Sequence, residues 1–318
     1  MNIKEKEKNN MALTSSIFDA RYTPWKNQGE TVTGATDSAN AIKLAGLDWR
    51  VEEKKVYTED GILIPNATAN VRNSDGKPLG IVGDRYKVVQ NEDAFRFTDS
   101  LLGEGVTYET AGSLRGGKII WLLAKMPEDV TILGDTVTPY MVFTNTHDGS
   151  GSVKVAMTPI RVICQNTLNL AIKTADRIWT ARHTGSIEYR LQDATETLQL
   201  ANKYMTTMKN TFDELYQIEL SRNDVEDIIS KIVPINENWK DTQKNNMKSI
   251  QDDIRFRFYE APDLKELRMT GARLIQAVSD TTSHIEPIRI TKYADENRMK
   301  NAIEGSGILD KALEILVA

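Results

Sequence analysis

The sequence predicts an α+β protein, an antiparallel β-meander packed with helices and followed by a mostly helical C-terminal region. Two observations predict it. Short, half-alternating apolar runs between Trp49 and Val82 are separated by Asp60-Gly61 and Ser74-Asp75-Gly76. Such turns join neighbouring antiparallel strands, whereas parallel strands need long crossovers. After Ser186 the period changes: Ile187, Leu191, Ala194, Leu198, Ala201, Tyr204, Met205, Met208, Phe212 and Leu215 follow helical spacing.

Residues 1–25 are expected to form a flexible arm, 26–190 an α+β core and 191–318 a helical region. The arm is polar, and Tyr22, Pro24 and Trp25 within it are expected to dock on the chain's own core or on a neighbouring subunit. A short helix is predicted over Asp37–Leu44, capped by Asp37 or Ser38. Strands follow at 49–52, 55–57, 62–64, 68–72 and 79–82. Asn91-Glu92-Asp93 opens a helix running to Leu102, stopped at Gly103. Val106–Leu114 and Lys118–Lys125 make a hairpin through Gly116-Gly117, and Thr138–Asn145 and Val153–Thr158 flank the loop His147–Gly151. Pro159 suits the first turn of a helix, and that helix is predicted to reach Ala175 with Ile160, Ile163, Leu168, Leu170 and Ile172 on its apolar face. Further helices are predicted at Val225–Ile232, Trp239–Tyr259, Leu264–Ser279 and Gly307–Val317.

Composition narrows the classes. A chain of 318 residues with 40% hydrophobic and 27% charged residues has an ordinary globular balance. One cysteine, Cys164, excludes an intramolecular disulfide and fits a reducing compartment. No apolar run approaches the roughly 18 residues of a membrane span, and the charged N-terminus lacks the apolar stretch of a secretory signal. The expected location is the cytoplasm, without membrane. The net charge is −5, but Lys154, Arg161, Lys173, Arg177, Arg182 and Arg190 face only Asp176 and Glu188 in their stretch. Such local excess, not the total, governs phosphate contact.

Neither a G-x-x-x-x-G-K-[ST] nor a G-x-G-x-x-G pattern occurs, so no nucleotide cofactor is expected. Gly112-Ser113-Leu114-Arg115-Gly116-Gly117-Lys118 reads as a tight basic hairpin tip able to touch a phosphate backbone through Arg115 and Lys118. His147, His183 and His284 lack metal-ligand spacing, and no metal is expected. Cys164 with His183 would be a nucleophile and base only if folding joined them; among Ile160, Ile163 and Leu168 the cysteine reads as core. Gln165-Asn166-Thr167 interrupts that apolar segment, so at least one of the three must meet a partner or a buried network. Trp179 among Lys173, Arg177 and Arg182 combines a stacking surface with cations, as single-stranded nucleic acid requires. The alternative there is a solvated connector with Trp179 anchored in the core.

Several motifs stand in order: Trp121-Leu122-Leu123-Ala124-Lys125, Gly134-Asp135, Pro139-Tyr140, Thr144–Ser150, Thr158–Leu168 and Arg182–Ser186. Together, from about Trp49 to the C-terminus, they resemble the phage- and plasmid-borne family known as domain of unknown function 932. That resemblance implies work on DNA, host takeover or counter-defence on a mobile element in a bacterial cytoplasm. It also implies a distant similarity to single-strand annealing recombinases, which have a β-meander packed on helices and assemble as rings. The leading expectation is a non-enzymatic single-stranded-DNA-binding protein that promotes strand annealing without ATP. Arg115, Lys118, Lys154, Arg161, Lys173, Arg177 and Arg182 would neutralise phosphates, and Trp179 would stack on bases. A homo-oligomer is expected. The rival expectation is an interaction protein that binds and inhibits a host factor. A third is an enzyme with a dispersed site around His147, Asp148, Cys164, Asn166 and His183.

Overall fold

A computed structural model describes residues 29–102, 104–161, 167–172, 176–181, 194–265, 267–285 and 294–318. Its architecture is α+β. The strands are β1 (Gly29–Thr31), β2 (Val51–Tyr57), β3 (Leu63–Arg72), β4 (Pro78–Gly83), β5 (Thr107–Leu114), β6 (Ile119–Lys125), β7 (Val130–Ile132), β8 (Asp135–Thr138), β9 (Tyr140–Thr146), β10 (Val153–Met157), β11 (Ile160–Arg161) and β12 (Ile178–Ala181). The helices are α1 (Ser38–Leu44), α2 (Asn91–Phe95), α3 (Asp99–Leu102), α4 (Ala194–Gln217), α5 (Arg222–Ile232), α6 (Asp241–Glu260), α7 (Gly271–His284), α8 (Ala294–Glu304) and α9 (Gly307–Leu316).

A six-stranded antiparallel sheet of order β1-β5-β6-β9-β10-β12 forms the centre, with small sheets β2-β3-β4 and β11-β8-β7 beside it. Strand alternation sorts its side chains onto two faces. Ile120, Leu122, Met141, Phe143, Val153, Val155 and Met157 join the main core, which continues through Tyr204, Met208 and Phe212 of α4 into α5, α6, α7 and α9. Leu114, Trp121, Leu123, Val142 and Ala156 face the other way and pack with Met299 and Ile303 of α8. Both faces are covered, which is why β6 and β9 read as continuous apolar or small-polar runs instead of alternating. Gly80 marks a backbone crossing: a Cβ there would collide with the backbone of Asp148, so only glycine lets β4 cross the loop after β9.

Local signals explain many boundaries. Asp37 caps α1, its Oδ1 accepting from Asn40 N at 2.7 Å. Ser221 and Asp224 form a reciprocal capping box at α5. The apolar stripe of α4 is the predicted one, with Ala201, Tyr204, Met205, Met208, Phe212 and Leu215 all buried. Helix α7 is buried nearly all round, packed by α4, α6 and α9.

The structure corrects the reading in several places; the helix predicted from Leu264, for one, begins only at Gly271. Within the described residues, the helix predicted from Pro159 is absent. Ile160 instead pairs with Thr138 and bridges Thr167, while the Pro159 carbonyl accepts from Leu168 N at 2.9 Å. Non-local pairing thus overrides the local preference of proline for a first helical turn. The single helix predicted from Asn91 is broken by a 3₁₀ turn at Arg96–Thr98. There the Thr98 hydroxyl donates to the Phe95 carbonyl at 2.6 Å, and Asp99 is held by Ser38 N at 2.5 Å and by the Tyr108 hydroxyl at 2.9 Å. Residues 178–181 form strand β12 rather than a connector. The β7–β8 hairpin, turned through positive φ at Leu133 and Gly134, and helix α8 are additional elements.

Candidate nucleic-acid interface

The basic tip predicted between β5 and β6 exists, and its backbone explains its composition. Arg115, Gly116 and Gly117 all have positive φ, at 52°, 69° and 96°. Two glycines keep the strained turn cheap and let other chains approach closely. A side chain on Gly116 would collide with Lys77 Nζ, and a Cβ on Gly117 would lie 2.8 Å from Arg72 Nη1. The tip therefore adjoins the β3–β4 turn. There Arg72 pairs with Asp75 (Nη2 to Oδ2 2.6 Å) and lies over the Trp49 ring at 5.4 Å. The Arg72 hydrogen bond holds the Asp75 carboxyl low, at about 2.

On the α8 side of the sheet, one cross-strand row runs Gly112, Trp121, Thr144, Lys154 and Thr180. Beside this row a cleft of roughly 200 Å³ opens between the tip, β9, β10 and the C-terminal end of α8. Arg115, Lys154 and Lys300 line it together with Thr146 and Glu304. Lys154 Nζ stands 3.4 Å from Glu304 Oε1, and Lys300 Nζ stands 3.5 Å from Oε2. Lys118 is half-buried at the base of the tip, its carbonyl accepting from His147 N at 2.8 Å.

Arg115 and Lys154 thus line one cleft and Lys118 stands at the base of the same tip, while other expected contacts do not join them. Arg177 is a correction: only 7% exposed, it donates from Nη1 to the Met157 carbonyl at 2.7 Å. Burial holds its pKa below the ordinary guanidinium value, against the pull of Tyr204, Asp310 and Glu304. Its charge serves the fold. Trp179 pairs with Val155, so it stands on the main-core face, opposite to Lys154, and its half-buried ring packs into that core. One strand path cannot use both. The Arg161 backbone pairs with Val137 in β11; Lys173 and Arg182 lie outside the described residues.

The dispersed enzyme site fares differently. His147 is fully buried, with Nε2 2.7 Å from Asn91 Oδ1 and its ring edge-on to Trp49 at 5.4 Å. Its carbonyl accepts from Asn70 Nδ2 at 2.8 Å, so it ties the three-stranded sheet to the large one. Asp148 caps its own loop by accepting from Ser150 N at 2.9 Å. Cys164, Asn166 and His183 lie outside the described residues. Of the polar run Gln165-Asn166-Thr167, the described Thr167 meets a buried network on α7: Ser283 accepts from its N–H at 3.0 Å and Ser279 donates to its carbonyl at 2.5 Å. Among the described residues no group of three or more His, Cys, Asp or Glu is placed to hold a metal, and no helix is long and apolar enough to cross a membrane.

Lys77, Thr146, Lys300 and Glu304 were not legible as site residues. Nothing in sequence spacing brings residue 77 or 300 to residue 115.

An antiparallel sheet covered by helices on both faces, with a basic hairpin tip at one end, defines a protein of α+β class. The chain belongs to the family described as Domain of unknown function (DUF932), which it matches over residues 78–303. Comparison with curated proteins and with solved structures gives no match.

Proposed function

We propose that this protein binds single-stranded DNA along the basic edge of its central sheet and promotes strand annealing without ATP. The observation that carries this reading is convergence. Lys77, Arg115, Lys154 and Lys300 come from a turn, a hairpin tip, a strand and a helix, yet gather around one hairpin tip of a chain whose net charge is −5. A local cationic track in an acidic protein is what phosphate contact selects. Annealing is downhill once strands are held with bases exposed, so it needs no nucleotide site. The family resemblance to mobile-element proteins, acting in a bacterial cytoplasm, supports the same reading.

The test is anisotropy of a labelled single-stranded oligonucleotide, titrated at low and high salt with a duplex control. Binding should prefer the single strand and weaken steeply with salt, and Arg115→Ala should reduce the logarithmic salt slope by about one. Homo-oligomerisation belongs to this reading, with the arm of residues 1–25 as the expected docking element. Deleting residues 1–25, which lie outside the described residues and leave β1 intact, should lower the mass measured by light scattering, and an unchanged mass rejects that role.

One observation favours a protein partner instead, in the sense of a host-factor inhibitor. The β2–β3 hairpin exposes Tyr57, Ile62, Leu63 and Ile64, with Ile62 65% exposed, and clustered apolar exposure marks interaction sites. Absence of DNA binding at low salt, together with a lysate partner lost on Ile62→Ser and Leu63→Ser, would select that reading.

A further inference from the structure

We infer that the cleft between the β5–β6 tip and α8 is a seat for one phosphodiester group, and that the Glu304 carboxylate is its built-in occupant, displaced when nucleic acid binds. This rests on the single-strand reading and assigns its central contact.

Four observations converge. Three cations, Arg115, Lys154 and Lys300, line the cleft together with the Glu304 carboxylate. Glu304 engages both lysines, one through each oxygen, at 3.4 and 3.5 Å, as a bridging anion would. Its own position does not favour it: it is the last residue of α8, where the helix dipole opposes negative charge. The pair of lysines, not the helix, accounts for its placement.

The fourth observation is a donor left open. Thr146 lines the cleft at 5% exposure, and its Oγ1 is buried with no hydrogen-bond partner. Buried hydroxyls are ordinarily satisfied, and one left open at a cleft is a donor to whatever polar group, water or anion, enters it. Gly151 packs directly against it, since a Cβ there would lie 2.9 Å from Thr146 Cγ2 and 3.2 Å from Oγ1. The cleft volume of roughly 200 Å³ is many times the 10–15 Å³ or so that one water needs, so a tetrahedral anion fits. A phosphodiester entering here exchanges one bridging anion for another and gains the Thr146 hydroxyl.

The experiment measures affinity of the full chain for labelled oligo(dT), and separately its thermal midpoint with and without inorganic phosphate. The variants are Glu304→Gln, Thr146→Val and Lys300→Met. Glu304→Gln removes the competitor while keeping its shape, and Arg177 retains Asp310 and the Met157 carbonyl. Affinity should rise roughly fivefold or more, as expected for removing a like charge a few ångströms from the phosphate, and the salt slope should steepen. Thr146→Val should weaken binding about three- to tenfold while the free protein's thermal midpoint stays level or rises, since an unsatisfied hydroxyl has gone. A residue that only supports the fold gives the opposite pairing. Lys300→Met should weaken binding and flatten the salt slope.

Wild-type affinity in all three variants overturns the seat and leaves the single-strand reading standing. No oligonucleotide binding by any form at low salt overturns both. Stabilisation of Glu304→Gln by inorganic phosphate without oligonucleotide binding assigns the cleft to a free phosphate compound and overturns the phosphodiester assignment.

Discussion

Replacing Arg257 by methionine should destabilise the fold by about 3–5 kcal/mol, the range for stripping the partner from a buried charge. Arg257 is 3% exposed between α6 and α7, with Nη1 2.5 Å from Asp280 Oδ2 and Nε 2.6 Å from Asp253 Oδ2. Burial works against its charge, yet the Asp280 and Asp253 carboxylates overcome that and hold its pKa above the ordinary value. Asp280 is itself 1% exposed on the most buried helix. His284 also lies near this carboxylate, with Nε2 3.8 Å from Oδ1. Urea denaturation of Arg257→Met beside Arg257→Met/Asp280→Asn measures the effect. The double variant should recover most of the loss, because the pair's removal costs far less than leaving one charge alone. Equal losses in both would mean that Arg257 acts through packing of its stem instead.

The second large effect separates structure from binding. Arg177→Met should cost roughly 2–4 kcal/mol, since it orphans the Met157 carbonyl and leaves half-buried Asp310 without its guanidinium. Under conditions where the variant stays folded, its affinity for single-stranded DNA and its salt slope should match the parent chain. Arg115→Ala should do the reverse, with stability within about 0.5 kcal/mol of the parent, as for an exposed substitution. An Arg177 variant as stable as the parent but weak in binding would return this residue to the interface.

Both cases show where sequence stops. Arg177 and Trp179 looked like surface contacts because cations and an aromatic alternate there, a pattern shared by an exposed binding strip and a strand with one face on the core. Pairing of β12 with β10 turned Trp179 inward and closed Arg177 under residues 304–310. His147 looked like a member of a dispersed catalytic site, but Asn91 of α2 and Trp49 before β2 made it a buried tie between sheets.

The sequence by itself determined the α+β class, the Asp-Gly and Gly-Gly turns, the cap at Asp37, the stripe of α4 and the basic tip at Arg115. Each depends on residues within one turn or one period of the chain, where propensity and spacing act directly. Only the tertiary structure decided the extended course of 160–161, the break in the helix after Phe95, and the meeting of Lys77, Arg115, Lys154 and Lys300. These rest on pairings between residues tens to hundreds of positions apart, and local preference gives way there to hydrogen bonds and burial that no short window of sequence contains.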